Sequence, residues 1–507
     1  MTLLEQSRPT TRTEPRSKDR TLGTATAVTA ALATLAWIPF LRTAASPDEG
    51  GFLVVASQWT HGSSLYGDYW VDRPPLLIVI HALAAATGGI TSLRVLGIAA
   101  VVSSVVLAAA ITRQSMSGRL ARPSTAGLVA PVVVAGTFLS SPLFGATHVG
   151  GELLSVPFVL AGAFLVLRSL GATGRARSSA WAVAAGIAAG SAMAVKQNAV
   201  DVFVVAAVVL ALRSWSGRRR QALRIGVCFG VGAITALGLL LGLAQWRGTG
   251  PGGLWDAVVT FRFQAAAVIH HSASAATHAR MLTLIGAAFL SVAPFLVGVL
   301  AIQASRRPAA VRPGSAAAPD LRWPALALLA WEVVSIAGGG SYWLHYLIVL
   351  VPGMVLLAAA AAQRPVSLRL AGGALTALAV ASACITTVSA AHGARALTSD
   401  ARVSAYVRAH ARPGDSMVVA FGHPNILWDV GLPSPYPQIW SLPVRVRDSR
   451  LVEFQAVLAG PAAPRWVVVS GDSLSTWGVD STRAEHVLRS RYAPVAHLGG
   501  YYVWRHR

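Results

Sequence analysis

The stretch SPDEGGFLVVASQWTHGSSLYGDYWVDRPPLL, residues 46 to 77, decides how this chain is read. It follows an apolar run at 22–43, and about 20 such residues suffice to cross a bilayer. Two adjacent carboxylates, Asp48 and Glu49, open it, and Tyr69, Asp72 and Arg73 follow before a double proline. Prolines suit the first turn of a helix, so a second helix is expected over RPPLLIVIHALAAATG. The segment EGGFLVVASQWTHG predicts a helix lying on the membrane surface, with Phe52, Val55 and Trp59 toward lipid. Polar groups this dense beside a span are costly unless they line a wet cavity.

The surrounding composition supports a membrane protein. Hydrophobic residues make up 54% and charged residues 12% of 507 positions, and the charged share is about half the usual one for soluble domains. The net charge of +22 comes from arginines lying between apolar runs. Such arginines orient a membrane protein and do not form a basic face interleaved with aromatics, so no nucleic-acid partner is expected. Cys228 and Cys384 sit inside apolar runs and show neither a disulfide framework nor metal-ligand spacing.

Spans are predicted near 22–43, 91–112, 125–143, 152–170, 179–195, 198–212, 222–245, 281–303, 323–340, 343–362 and 369–390. The resulting fold class is a polytopic α-helical membrane protein of about eleven spans with a small C-terminal α/β domain. One set of loops, with the N-terminal tail, collects about 22 basic residues, and the opposite short loops about seven, which places the first set in the cytoplasm. Residues 1–21 read as a disordered cytoplasmic tail, 22–391 as the membrane domain with its first outer loop at 44–90, and 392–507 as an extracytoplasmic domain. In that last part GDSMVVAFG and PRWVVVSGDS read as strands, and DARVSAYVRAHA and TRAEHVLRSRY as helices.

Given this orientation, polar groups from five separated segments fall on one rim. They are Asp48 and Glu49; His148 and Glu152; Lys196, Gln197 and Asn198; Arg262, His270 and His271; and Tyr342, His345 and Tyr346. Each has a plain alternative. Asp48 or Glu49 could cap a helix, Lys196 could snorkel, and His345 and Tyr346 could belong to an aromatic belt. His270, His271 and His278 match no closed metal-ligand set. Convergence argues instead for a site. A carboxylate there can take a proton from a hydroxyl, while Lys or Arg neutralises a phosphate leaving group. Such a set suits transfer of a sugar from a lipid-linked donor, by direct displacement with inversion. A transporter or flippase of a lipid-linked sugar is the alternative, with broken or charged helices expected at the midplane.

PDEGGFLVVASQW followed by GSSLYGDYWVDRPPLL resembles the first outer loop of the GT-C membrane glycosyltransferases. The branch is family 39-like, with the protein O-mannosyltransferases and the lipid A aminoarabinose transferases. AVKQNAV is similar to that family's Lys-containing turn, and SYWLHYLIVLVPGMVLLAA to its late Tyr-x-x-His-Tyr segment. The resemblance implies a GT-C fold in the plasma membrane, a polyprenyl-phosphate sugar donor, contact with membrane lipids and an extracytoplasmic acceptor. It implies Asp48 as catalytic base and Glu49 as a supporting acid or acceptor contact. Arg73, Lys196 and His345 would meet the donor phosphate, with Tyr69, Asp72, Glu152, Gln197 and Tyr346 as further substrate contacts. Arg73 stands where the family often carries His. Glu152 stands where some relatives hold a divalent metal, so no cofactor is fixed and a metal stays open.

Overall fold

The computed structural model describes residues 14–60, 67–117, 119, 124–271, 275–310, 319–364, 369–394 and 398–507. In chain order the helices begin α1 (Glu14–Trp37), α2 (Pro47–Thr60), α3 (Pro75–Thr87), α4 (Ile90–Ser115), α5 (Thr125–Leu139), α6 (Gly151–Gly171), α7 (Arg175–Val195) and α8 (Asp201–Trp215). They continue with α9 (Arg219–Trp246), α10 (Pro251–Trp255), α11 (Phe261–His271), α12 (Ala275–Leu290), α13 (Ala293–Ser305), α14 (Arg322–Gly338), α15 (Val351–Ala362) and α16 (Arg369–Gly393). A tight 3-10 stretch, Leu344–Leu350, leads into α15.

Each of the eleven expected spans has a helix at its position. Among the described residues seven helices are long and apolar enough to cross a membrane, and α12 with α13 makes an eighth span bent by 56°. The bend has local causes: Val292 sits at φ 66°, and Pro294 opens α13. The remaining three, α5, α8 and α14, are 15, 15 and 17 residues long. Helix α1 starts at Glu14, so residues 14–21, read as tail, are helical, and residues 1–13 lie outside the described part. On α9 and α16 large apolar side chains such as Leu223, Ile234, Leu239, Leu370 and Ile385 point outward. Only hydrocarbon can cover such faces. Every residue of α15 is buried, making it the centre of the bundle.

Close helix approach is set by small residues. A Cβ on Gly186 or Gly190 of α7 would run into the α9 backbone around Phe229 and Ala233, and one on Gly232 would run into Val183. Gly232→Leu should therefore lower the stability of the bundle by about 1–3 kcal/mol through overpacking. Gly230→Leu, with open space at its Cβ, should leave the melting point of the detergent-solubilised protein unchanged. Equal melting points for the two variants would refute this account of α7–α9 packing.

The C-terminal part comprises α17 (Ser399–His410), β1 (Met417–Ala420), α18 (Pro424–Val430), α19 (Ser441–Arg447), α20 (Val452–Ala459), β2 (Trp466–Ser470), α21 (Thr482–Arg491), β3 (Tyr492–Leu498) and β4 (Tyr501–His506). Both expected strands and both expected helices form. The sheet order is β1-β2-β4-β3, with β1 and β2 parallel and the last two strands antiparallel. Gly499 and Gly500, at φ 57° and 88°, make the two-residue turn between β3 and β4, where positive φ is needed at both positions. One face of the sheet buries Val418, Phe421, Tyr436, Phe454, Val467 and Tyr492 in the domain's own core. The other, through Met417, Val419, Val468 and Val503, joins the main core.

Helix α2 lies between the bundle and this domain. Gly50 lets Asn425 approach, and Gly51 lets Pro424 and the Trp440 ring approach, so closely that a Cβ at either would overlap them. Phe52 and Val55 are buried, and the Phe52 ring centroid is 5.3 Å from both His81 and Trp440. This corrects the expectation that the apolar side of α2 faces lipid: the C-terminal domain and α3 cover it. The side chain of Trp59 lies outside the described residues.

Candidate active site

The site begins with the capping of α2. Ser46 N–H donates to Glu49 Oε2 at 2.9 Å, and Glu49 N–H donates to Ser46 Oγ at 3.3 Å. This is the reciprocal Ser-x-x-Glu box that fixes a helix start. The same carboxylate takes Arg94 Nε at 3.1 Å and Nη2 at 2.9 Å, and Val149 N–H at 2.8 Å. Glu49 and Arg94 are 0% and 1% exposed. Burial alone would raise the Glu49 pKa, but hydrogen bonding to Arg94 and its charge hold it below the usual carboxylate range. Arg94 also donates to Phe40 O, Thr43 and Ala44 O, tying the chain before α2 onto α4.

Glu49 is thus not placed to be a supporting acid or an acceptor contact; its lone pairs are occupied. Sequence reasoning missed Arg94. The available signal was a lone arginine within an apolar span, at the end of the bundle where basic residues are few.

The neighbouring Asp48 differs. It is half-buried, and its carboxylate has no hydrogen-bond or ion-pair partner among the described residues. It lies within electrostatic range of Arg73, His345 and Tyr346. The helix that buries Glu49 therefore presents Asp48 to the polar cluster.

Across from it, Glu152 stands in the first turn of α6 and forms an ion pair with Lys196, which follows α7. His345 Nε2 is 3.5 Å from the same Glu152 oxygen. Lys196 Nζ lies 5.1 Å from the centre of the Tyr346 ring, and His345 packs edge-on to Tyr346 and His148 at 5.1 Å and 5.5 Å. Gly145 permits the approach of His345: it sits at φ 70°, and a Cβ there would be 2.6 Å from His345 N.

The third part is the loop before α3. Asp72 Oδ1 accepts from Arg73 at 2.6 Å, and Asp72 Oδ2 pairs with Arg262 from α11. Burial alone would raise the Asp72 pKa, but Arg262 and Arg73 hold it low. Arg73 stacks over Phe52 at 5.5 Å. Asp48, Arg73, Glu152, Lys196, His345 and Tyr346 come together as expected, joined by Arg262 and His148.

Three expected substrate contacts are instead held by protein groups. The Tyr69 hydroxyl accepts Ser434 N–H at 2.9 Å with its ring buried, so it docks the C-terminal domain. Asp72 bridges two guanidinium groups, and Gln197 Nε2 donates to Asp72 O at 3.2 Å. These contacts shape the cluster from within the protein. The Tyr69 link joins parts of the chain 365 residues apart, a separation that no local pattern reveals.

A divalent metal does not fit the acidic position here. Glu152 Oε1 already holds the Lys196 ammonium, and among the described residues no three His, Cys, Asp or Glu side chains converge as ligands.

No protein-family model matches the chain, and no curated protein matches it in sequence. Its fold does match solved structures. ArnT from Cupriavidus metallidurans bound to undecaprenyl phosphate superposes with a TM-score of 0.62 at 14% identity, over 94% of this chain and 97% of that one. Its apo state gives 0.61 at the same identity and coverage. The apo oligosaccharyltransferase of Archaeoglobus fulgidus gives 0.52 at 11%, over 89% of this chain and 69% of that one. The chain thus has the GT-C fold that the first-loop motif implied: a multi-span helical membrane domain with a small four-stranded C-terminal sheet.

Proposed function

We propose that the protein is an inverting membrane glycosyltransferase that moves a sugar from a polyprenyl-phosphate donor to an extracytoplasmic acceptor. The observation that carries this reading is the Asp48 carboxylate, free of partners among the described residues, on a rim that also holds Arg73, Lys196, Arg262 and His345. Asp48 takes the proton of the acceptor hydroxyl as its oxygen attacks the anomeric carbon. The bond to the phosphate oxygen breaks on the opposite face, and Arg73 and Lys196 meet the charge left on the lipid phosphate. For that, Lys196 trades part of its contact with Glu152 for the phosphate, and Asp72, itself paired with Arg262, holds Arg73 in place. The arginine-rich loops lie at the opposite end of the bundle from this cluster, which supports an N-terminus in the cytoplasm and the C-terminal domain outside. The similar ArnT structure has undecaprenyl phosphate bound, which supports the donor class.

The direct test is transfer by purified protein with a panel of polyprenyl-phosphate sugars and an acceptor extract, with and without chelator. Transfer from at least one such donor, at equal rate with chelator, is expected. Inactivity with every lipid-phosphate sugar, or movement of the intact lipid across a vesicle without transfer, would overturn the reading in favour of a flippase.

Lys196→Ala should weaken donor use by about 2 kcal/mol, the scale of a charge-assisted hydrogen bond. The loss should appear as a higher KM for the donor, with acceptor dependence unchanged. An unaltered donor KM would reduce Lys196 to a structural partner of Glu152.

A further inference from the structure

A second polar cluster lies in the C-terminal domain, away from the reacting groups. Asp400, in the first turn of α17, accepts hydrogen bonds from Tyr501 OH at 2.7 Å and Asn425 Nδ2 at 2.8 Å. His423 Nδ1 lies 3.4 Å from the same carboxylate. The His423 ring stands edge-on to Tyr501 at 5.2 Å and to Trp477 at 6.2 Å. Trp477 covers Gly422, whose φ of 88° and lack of Cβ admit the indole: a Cβ there would be 2.9 Å from the ring. Two polar atoms in this group have no partner among the described residues, Asn425 Oδ1 and Trp477 Nε1, although Asn425 is 1% exposed.

The position and chemistry narrow the ligand. The cluster follows the carboxyl ends of the parallel strands β1 and β2, the edge where α/β sheets bind ligands. The segment SGDSLSTWG, residues 470–478, borders it with exposed hydroxyls. Asp400 is answered by an amide, a phenol and an imidazole rather than by Lys or Arg, which disfavours a phosphate or other anion. The density of polar groups disfavours a lipid chain. What remains is a neutral ligand with many hydroxyls and an apolar ring face to lay on an indole. Asn425 also packs against Gly50 of α2, so the cluster adjoins the helix that carries Asp48.

We infer that the crevice of Asp400, His423, Asn425, Trp477 and Tyr501 binds a neutral glycan, the part of the acceptor remote from the hydroxyl that is glycosylated. The word acceptor rests on the glycosyl-transfer reading; the glycan binding does not. The acceptor hydroxyl lies at Asp48 while earlier sugar units lie along α18 and over Trp477. Binding energy gathered there orients the reacting end.

The test uses the full chain in nanodiscs, both wild type and Asp48→Asn, titrated with short soluble hexose and pentose oligosaccharides and followed by tryptophan fluorescence and calorimetry. Both proteins should bind one glycan class equally, and Trp477→Ala and His423→Ala should each weaken it about tenfold. Melting points report folding, and Asp400→Asn, of unchanged shape, serves as a further variant should Trp477→Ala fail to fold. In transfer assays Trp477→Ala should lower kcat/KM about tenfold for long glycan acceptors and leave a simple glycoside acceptor unchanged. Absence of binding to any glycan, binding untouched by all three variants, or binding of an extended peptide instead would overturn the inference. If glycans bind through Trp477 but no sugar is ever transferred, the catalytic reading fails and this one stands.

Discussion

Asp48→Asn should abolish sugar transfer while the protein folds and binds its donor as before. An amide cannot accept the proton of the attacking hydroxyl, and losing a positioned general base costs about a hundredfold to ten-thousandfold in turnover. Folding should be unaffected because Asp48 has no partner among the described residues, whereas the box that starts α2 is built by Ser46 and Glu49. Turnover by the purified variant near the wild-type rate would remove Asp48 as the base and with it the direct-displacement scheme. A fall in melting point matching the loss of activity would make its role structural.

Glu49→Ala should do the opposite, with stability lost first. It strips Arg94 of its carboxylate in a site where neither side chain reaches solvent. Removing one partner of a buried pair costs about 3–5 kcal/mol because the remaining charge is uncompensated. It also leaves Val149 N–H without its acceptor. The double change Glu49→Leu with Arg94→Met should recover much of that loss, since apolar replacement of both members is often close to neutral. Detergent melting curves of the wild type and the two variants decide the matter. A double variant as unstable as Glu49→Ala would mean that the loop contacts of Arg94, to Phe40, Thr43 and Ala44, matter more than the pair.

The two adjacent acids show what a sequence can and cannot disclose. Their place after the first span was legible, as were helices at the eleven expected positions, seven of them long enough to span and an eighth as a bent pair, because apolar runs are properties of single segments. Which acid is tied into the structure was not legible, since the answer depends on Arg94, 45 residues further on. The capping alternative weighed for either acid is what the hydrogen bonds describe for Glu49. The facing of α2 was misread for a related reason. Its surface is apolar nearly all round, so periodicity names no outer side, and the element that covers it, α18, comes near the end of the chain. Arg262 was noted at the rim, but its pairing with Asp72 spans 190 residues. Glu152, Lys196 and His345 were found because charge beside a membrane is rare enough to stand out singly.

Helix α2 has no surface of its own: one flank is seated on the bundle and the other, through Gly50 and Gly51, on α18 and Trp440. The two halves of the chain are therefore not interchangeable modules. A chimaera that keeps the membrane half and borrows an unrelated C-terminal half would leave the Asp48 helix without its lid, even though no borrowed residue takes part in bond making. Divergence at Gly50, Gly51, Pro424, Asn425 and Trp440 should accordingly be correlated, so that a lineage altering one side of this joint must adjust the other.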